Sequence, residues 1–232
     1  MCGRFTQYHS EEELLDRFEA LRTPDLKEPL EPRYNIAPSQ KVAAVIAREG
    51  RRLEQFQWGL LPAWAKDVRK PLINIRADTL AEKPYFRGAL ARRRCLIPAS
   101  GFYEWKEADT PQEGGKTPIY FHRPDGKPLG FAGIWEQHGG AAGVPQITCA
   151  IITTEPNSLL GRVHNRMPML LPQSAVDLWL GASVTDAADL LPLLTPCAEE
   201  LEAYPVSRLV NAPAHDTEQC IVPTGEKLRV EE

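Results

Sequence analysis

Apolar residues recur at helical spacing in only a few stretches of this chain; elsewhere they alternate or gather in short runs. Ser10-Glu11-Glu12-Glu13 has the form of a capping box, with Ser10 at the N-cap and Glu13 at N3. Leu14, Leu15, Phe18 and Leu21 follow at helical intervals, which predicts an amphipathic helix over residues 11–21. Pro24, Pro29, Pro32 and Pro38 then predict an extended surface loop. Lys41–Ala47 and Leu53–Trp58 read as two strands around a Glu49-Gly50 turn. Pro71–Ala77, Cys95–Ile97, Phe102–Lys106, Ile119–His122, Gly130–Glu136 and Gln146–Thr153 read as further strands, and Pro172–Leu180 and Ala187–Leu194 as helices. Ala108–Lys116 reads as a disordered loop tip and His138–Val144 as a Gly/Ala-rich loop, neither a domain boundary. Many short strands, few helices and 21 prolines predict an α+β fold. We expect one domain over 1–232, mainly antiparallel and barrel-like with peripheral helices, its core at about 2–213 and a C-terminal tail at 214–232.

Composition narrows the function. Hydrophobic residues make up 43% and charged residues 25% of the 232, as in ordinary globular proteins. A net charge of −4 excludes a surface that is basic throughout, so an anion site must be a local patch of Lys and Arg. There is no apolar run of membrane-spanning length and no apolar stretch behind Met1, so neither a bilayer nor a secretory route is expected. Five scattered cysteines (Cys2, Cys95, Cys149, Cys197, Cys220) without a CxxC pair argue against a disulfide framework or a zinc site and for a reducing cytosol. No metal or other cofactor is expected.

Cys2 carries the most chemical information. Loss of Met1 would leave a 1,2-aminothiol. Its α-amine, with a pKa of about 7.7–8.0 against about 10.4 for lysine, is partly neutral at pH 7. A neutral amine attacks aldehydes to give a Schiff base, and the adjacent thiol can close on the imine as a thiazolidine. The same pair could attack amides, with the amine as general base. Gly3 permits close approach of a substrate to the backbone, and Arg4 offers an anion contact.

Residues alone leave two readings open for each candidate helper. Glu104, within Gly101-Phe102-Tyr103-Glu104-Trp105-Lys106, is either an inward acid with a raised pKa or an outward partner of a cross-strand cation. His164 sits at an element boundary beside Arg166, where structural and catalytic roles are both open. Asn74 and Arg76 share one face of a strand, opposite Ile73 and Ile75, and could equally be the solvated side of an edge strand. Arg92-Arg93-Arg94 is the densest basic run and reads as a solvated helix end. Trp58 and Trp135 read as core; Trp64 and Trp105 are candidates for stacking on bases.

Seven motifs occur in order: Met1-Cys2-Gly3-Arg4-Phe5, Arg33-Tyr34-Asn35-Ile36-Ala37-Pro38, Trp58-Gly59-Leu60-Leu61-Pro62, Asn74-Ile75-Arg76-Ala77-Asp78, Arg94-Cys95-Leu96-Ile97-Pro98, Gly101-Phe102-Tyr103-Glu104-Trp105 and His164-Asn165-Arg166-Met167-Pro168. Together they make the chain strongly resemble the SOS-response-associated peptidase family, from Cys2 to about Pro213. The resemblance implies an abasic-site processing protein that crosslinks through Cys2 to abasic sites in single-stranded DNA as a thiazolidine and so shields the lesion during replication. It also implies lyase- or peptidase-like activity, the latter on the protein's own N-terminus. It implies that Asn74 orients the amine, that Glu104 moves protons and that His164 assists opening of the deoxyribose ring. It further implies that Arg4, Arg76 and Arg166 hold phosphates, with Pro38, Trp64 and Trp105 along the DNA path. A monomer in the bacterial cytoplasm, on the nucleoid when bound to damaged DNA, is the implied setting. Three other readings compete: an N-terminal-nucleophile amidohydrolase, a cysteine peptidase acting on other proteins, and a non-catalytic single-strand-binding module.

Overall fold

The computed structural model describes residues 2–24, 26, 28–62, 71–108, 115–139, 145–181, 184, 187–196 and 200–229. Trp64, most of the segment 108–116, residues 140–144 of the second loop and Met1 lie outside the described residues.

The predicted hairpin forms as strands β4 (Lys41–Ala47) and β5 (Arg51–Trp58). Glu49 and Gly50 both adopt positive φ, 50° and 95°, the turn geometry whose twist matches that of paired strands. This hairpin belongs to an eight-stranded sheet in the order β12-β11-β10-β7-β4-β5-β2 along its main path. The other members are β2 (Leu21–Arg22), β7 (Arg94–Ala99), β10 (Leu129–Gly139), β11 (Pro145–Thr154) and β12 (Met167–Pro168), with β6 (Asn74–Arg76) paired in parallel to β11. A second sheet of five strands runs β13-β9-β8-β1-β3. It comprises β1 (Phe5–Gln7), β3 (Arg33–Ile36), β8 (Gly101–Lys106), β9 (Thr117–His122) and β13 (Glu202–Pro205).

The apolar residues divide into three clusters that define the layers. Phe5, Phe102 and Phe121 of the smaller sheet meet Val42, Phe56, Trp58 and Phe131 of the larger one. The outer face of the large sheet is covered by α1 (Glu11–Arg17), α2 (Ala77–Glu82), α3 (Pro84–Arg92) and α4 (Gln173–Leu180). The outer face of the small sheet, with Tyr103 and Tyr120, is covered by short 3₁₀ turns at Arg208–Asn211 and Glu218–Ile221 through Val210 and Cys220. The architecture is thus α+β, mainly antiparallel. Gly101 lets the small sheet close: a Cβ there would sit 2.3 Å from the Tyr120 hydroxyl, which bonds Thr6 Oγ1 at 2.9 Å.

Two stretches read as loop carry strand instead: Arg33–Ile36 forms β3, with Asn35 and Ile36 buried, and His138 and Gly139 end β10. Three further expectations need correction. The first helix has the capping box but ends at Arg17, four residues early. Glu19 takes a left-handed φ of 49°, Ala20 N donates to Leu15 O and Glu19 N to Asp16 O, a Schellman stop made without glycine. Leu21 therefore leaves the helical face and is 60% exposed in β2. Second, Ala77 is not strand but opens α2, directly after Arg76. Third, the basic run is not one solvated helix end. Only Arg92 ends α3; Arg93 pairs with Glu136, and Arg94 is buried. The Arg94 guanidinium donates to the carbonyls of Leu90, Ala91, Trp179 and Gly181, satisfying two helix ends at once. Residues 214–229 pack onto the domain, with Leu228 N on Ala203 O and Thr224 N on Pro205 O.

Candidate active site

The chain's first residues extend β1 between the two sheets. β1 pairs with β8, Phe5 opposite Phe102, and Tyr103 N donates to Arg4 O at 3.0 Å, which carries the ladder past Phe5. Cys2 is thereby buried in the inter-sheet cluster with no exposed surface. Because alternate strand residues face opposite ways, Glu104 shares the inward face of β8 with Phe102, toward Cys2, and is 2% exposed. This resolves the ambiguity over Glu104 in favour of the inward acid.

Asn74 arrives from the other sheet. β6 lies parallel to β11, Asn74 opposite Ile151 and Arg76 opposite Thr153. Asn74 Nδ2 donates to the Cys2 carbonyl at 2.8 Å, while its Oδ1 is buried without a partner. His164 follows a 3₁₀ turn, Leu160–Arg162, with its Nδ1 3.1 Å from both the amide nitrogen and the carbonyl oxygen of Arg166. That contact fixes the ring's orientation.

The electrostatics tie these groups together. Burial pushes the Cys2 thiol far above its ordinary pKa, and the nearby Glu104 charge pushes it further. Burial raises Glu104 to about 7, against the opposing positive charge of the chain terminus and of Lys116. Burial lowers His164, and the same terminal charge lowers it further. Cys2 is thus tied to Asn74 by a hydrogen bond and to Glu104 by charge, and His164 feels the same terminal charge that acts on Glu104. A carboxyl that titrates near neutrality can both give and take a proton there.

The residues expected on DNA are spread more widely. Arg76 is exposed and held by Asp78, Nη2 to Oδ2 at 2.5 Å, which depresses Asp78 to about 2. Arg166 is 8% exposed; its Nη1 meets Glu155 at 3.1 Å and its Nη2 the Thr153 carbonyl at 2.7 Å, while Nε is buried without a partner. Pro38 is half-buried in a turn where Ser39 has φ 72° and Ser39 N donates to Trp58 O. Arg4 and Trp105 lie together on the opposite, outer face of the small sheet, the guanidinium 5.9 Å from the indole centroid. Arg4 Nη1 is engaged by Asn35 Oδ1 and the Val210 carbonyl.

Sequence reasoning passed over Thr153. Its residue is fully buried, its hydroxyl has no partner, and the pairing of β6 with β11 sets it beside Arg76 on the edge that carries Asn74. The signal would have been the register between two strands about 75 residues apart, which no local pattern contains.

The fold and the site define a mainly antiparallel, two-sheet α+β domain built around a buried Cys2, with Asn74 bonded to its carbonyl and Glu104 buried on the facing side of β8. A sequence model of the SOS response associated peptidase (SRAP) family matches residues 1–213, and the chain belongs to that family. It is 40% identical over 225 residues to the abasic site processing protein YoaM of Bacillus subtilis, covering 95% of this chain and 97% of that one. It is 31% identical to YedK of Escherichia coli, also named an abasic site processing protein, over 90% of this chain and 94% of YedK. A crystal structure of a Bacteroides thetaiotaomicron protein superposes with a TM-score of 0.83 at 25% identity, over 96% of this chain and all of that one.

Proposed function

We propose that this chain processes abasic sites in single-stranded DNA by bonding to them through Cys2. The observation that supports the reading is that Cys2, which becomes N-terminal once Met1 is lost, is buried with Asn74 on its carbonyl and the Glu104 carboxyl beside its thiol. The free amine attacks the aldehyde of the ring-opened deoxyribose. The carbinolamine loses one water to give an imine. Sγ then adds to the imine carbon, its proton passes to nitrogen, and a five-membered thiazolidine closes with no oxidant consumed.

Each neighbour has a task in that sequence. Asn74 holds the Cys2 carbonyl through Nδ2 and offers Oδ1 to the amine. Glu104 protonates the departing hydroxyl and takes protons back when the crosslink reverses. His164 assists opening of the sugar ring. Arg76 and Arg166 hold phosphates beside the lesion, and Arg4, Pro38, Trp64 and Trp105 line the strand's path. A peptidase-like step at the Met1–Cys2 bond would free the amine. The protein acts as a monomer in the bacterial cytoplasm, on the nucleoid where DNA is damaged.

The thiol's raised pKa favours this reading over an amidohydrolase or a general cysteine peptidase. Those reactions begin with a thiolate, which burial and the Glu104 carboxylate both oppose here. In the thiazolidine route the amine leads and the thiol follows as S–H. Peptide mapping of the product with abasic single-stranded DNA tests the proposal. The deoxyribose remnant is expected on the peptide that begins at Cys2, lacking Met1 and unchanged by borohydride, because a thiazolidine has no C=N bond. An adduct that maps to a lysine, or that borohydride reduces, would contradict it.

A further inference from the structure

The family match stops at residue 213, yet the next few residues are bonded to the strand that precedes Pro38. The Asp216 carboxylate accepts from Tyr34 N at 2.5 Å, from Asn35 N at 2.8 Å and from Arg33 Nε. Asn35, fully buried, returns the contact: its Nδ2 donates to the carbonyls of Val210, Ala212 and His215 at 3.2, 3.1 and 2.6 Å. Strand β3 and the segment 208–216 are thus buttoned together by two side chains, one from each.

What that clasp holds is specific. The Asn35 Oδ1 that is left accepts from Arg4 Nη1 at 2.8 Å, and the Val210 carbonyl accepts from the same nitrogen at 2.5 Å. Asn211, on the clasped segment, takes the Trp105 indole N–H at 2.8 Å. The indole is therefore fixed from two sides, by Arg4 across its face and by Asn211 at its edge. Both anchors depend on where 208–216 sits. Arg33 also bonds Gln40 Oε1 at 2.8 Å, and that oxygen accepts from Ala37 N at 3.0 Å, so the turn carrying Pro38 hangs from the same residues.

We propose that Asn35 and Asp216 are positioning residues, which hold Arg4, Trp105 and the Pro38 turn as one preformed surface for the nucleotides flanking the lesion. The proposal rests on the abasic-site reading for the identity of the strand, and on the clasp alone for the positioning. Preformation lowers the ordering cost of binding without touching the covalent step. Loosening the clasp must therefore weaken capture and spare chemistry.

The test is Asp216→Ala on the full chain, with adduct formation on abasic single-stranded DNA followed at increasing protein concentration. The half-saturating concentration should rise about tenfold while the saturated rate constant stays within about twofold. Asp216→Asn, which keeps one acceptor oxygen, should recover most of the loss. In an Arg4→Ala background Asp216→Ala should add little, because the two act through one contact. Should Asp216→Ala melt below the assay temperature, Asn211→Ala removes the exposed indole anchor alone and must also raise half-saturation. The indole N–H resonance of Trp105, assigned by its loss in Trp105→Phe, should shift or broaden in Asp216→Ala. An unmoved indole resonance, an unchanged half-saturation, or an equal fall in both kinetic parameters would overturn the proposal. If the wild type forms no adduct, the abasic-site reading fails; the positioning claim then stands or falls on the indole signal and on reversible binding to single-stranded DNA.

Discussion

The two faces of the small sheet are built from neighbouring residues and do opposite things. Glu104 and Trp105 are adjacent in β8, as Arg4 and Phe5 are at the start of β1. Inward, Phe5 shares the inter-sheet cluster with Cys2 and the buried Glu104 faces it, and burial raises both the Cys2 thiol and the Glu104 carboxyl. Outward, Trp105 and Arg4 pack together against the segment 208–216, held by hydrogen bonds between amides, carbonyls and one carboxylate. The strand's period of two separates a dry inner face from an outer face where Arg4 and Trp105 stay part-exposed at the edge of the covering 3₁₀ turns. Motif residues adjacent in sequence therefore need not share a role.

Substitutions on the two faces should fail in different kinetic parameters. Glu104→Gln should cost about a hundredfold or more in the saturated rate of adduct formation and leave half-saturation near that of the wild type. Its pH dependence gives a second reading. The folded chain keeps a proton on Glu104 up to about 7, whereas an ordinary carboxyl releases it near 4.5. Between these values the native state binds more protons than the unfolded one, so stability falls as pH rises through that window. Chemical denaturation across it should show that slope in the wild type and a flatter line in Glu104→Gln, and the rate profile of the variant should lose its inflection near 7. Trp105→Ala, on the outward face, should raise half-saturation about tenfold by losing base stacking, with the saturated rate little changed. A fall in its saturated rate would mean that the two faces are coupled. The smallest effect is expected at Arg92, the exposed end of α3 on neither face: Arg92→Ala should change stability by less than about 0.5 kcal/mol and DNA capture not measurably.

The sequence was most legible where the signal is local. The capping box, the β4–β5 hairpin and the longer strands follow from patterns a few residues long, whereas the short strands β1, β2, β3, β12 and β13 do not. The inward direction of Glu104 could not be read, because period-two alternation in an aromatic strand gives two faces but not which is buried; the second sheet decides that. Arg94 misleads for a related reason. Its charge marks it as surface, yet four carbonyls at the ends of α3 and α4 surround it, and only tertiary packing brings those ends together. The clasp between Asn35 and Asp216 joins residues about 180 apart, and the stop at Glu19 uses a conformation that sequence assigns to glycine. The position of Cys2 behind Met1 is plain in the sequence; its burial and its contact with Asn74 are not.

One experiment bears on the central claim most directly: a single-stranded oligonucleotide with one abasic site, incubated with the wild type and with Cys2→Ala and run on a denaturing gel. The account predicts a denaturation-resistant shifted band with the wild type, none with Cys2→Ala, and none with undamaged DNA. No band with the wild type, or a full band with Cys2→Ala, would contradict it.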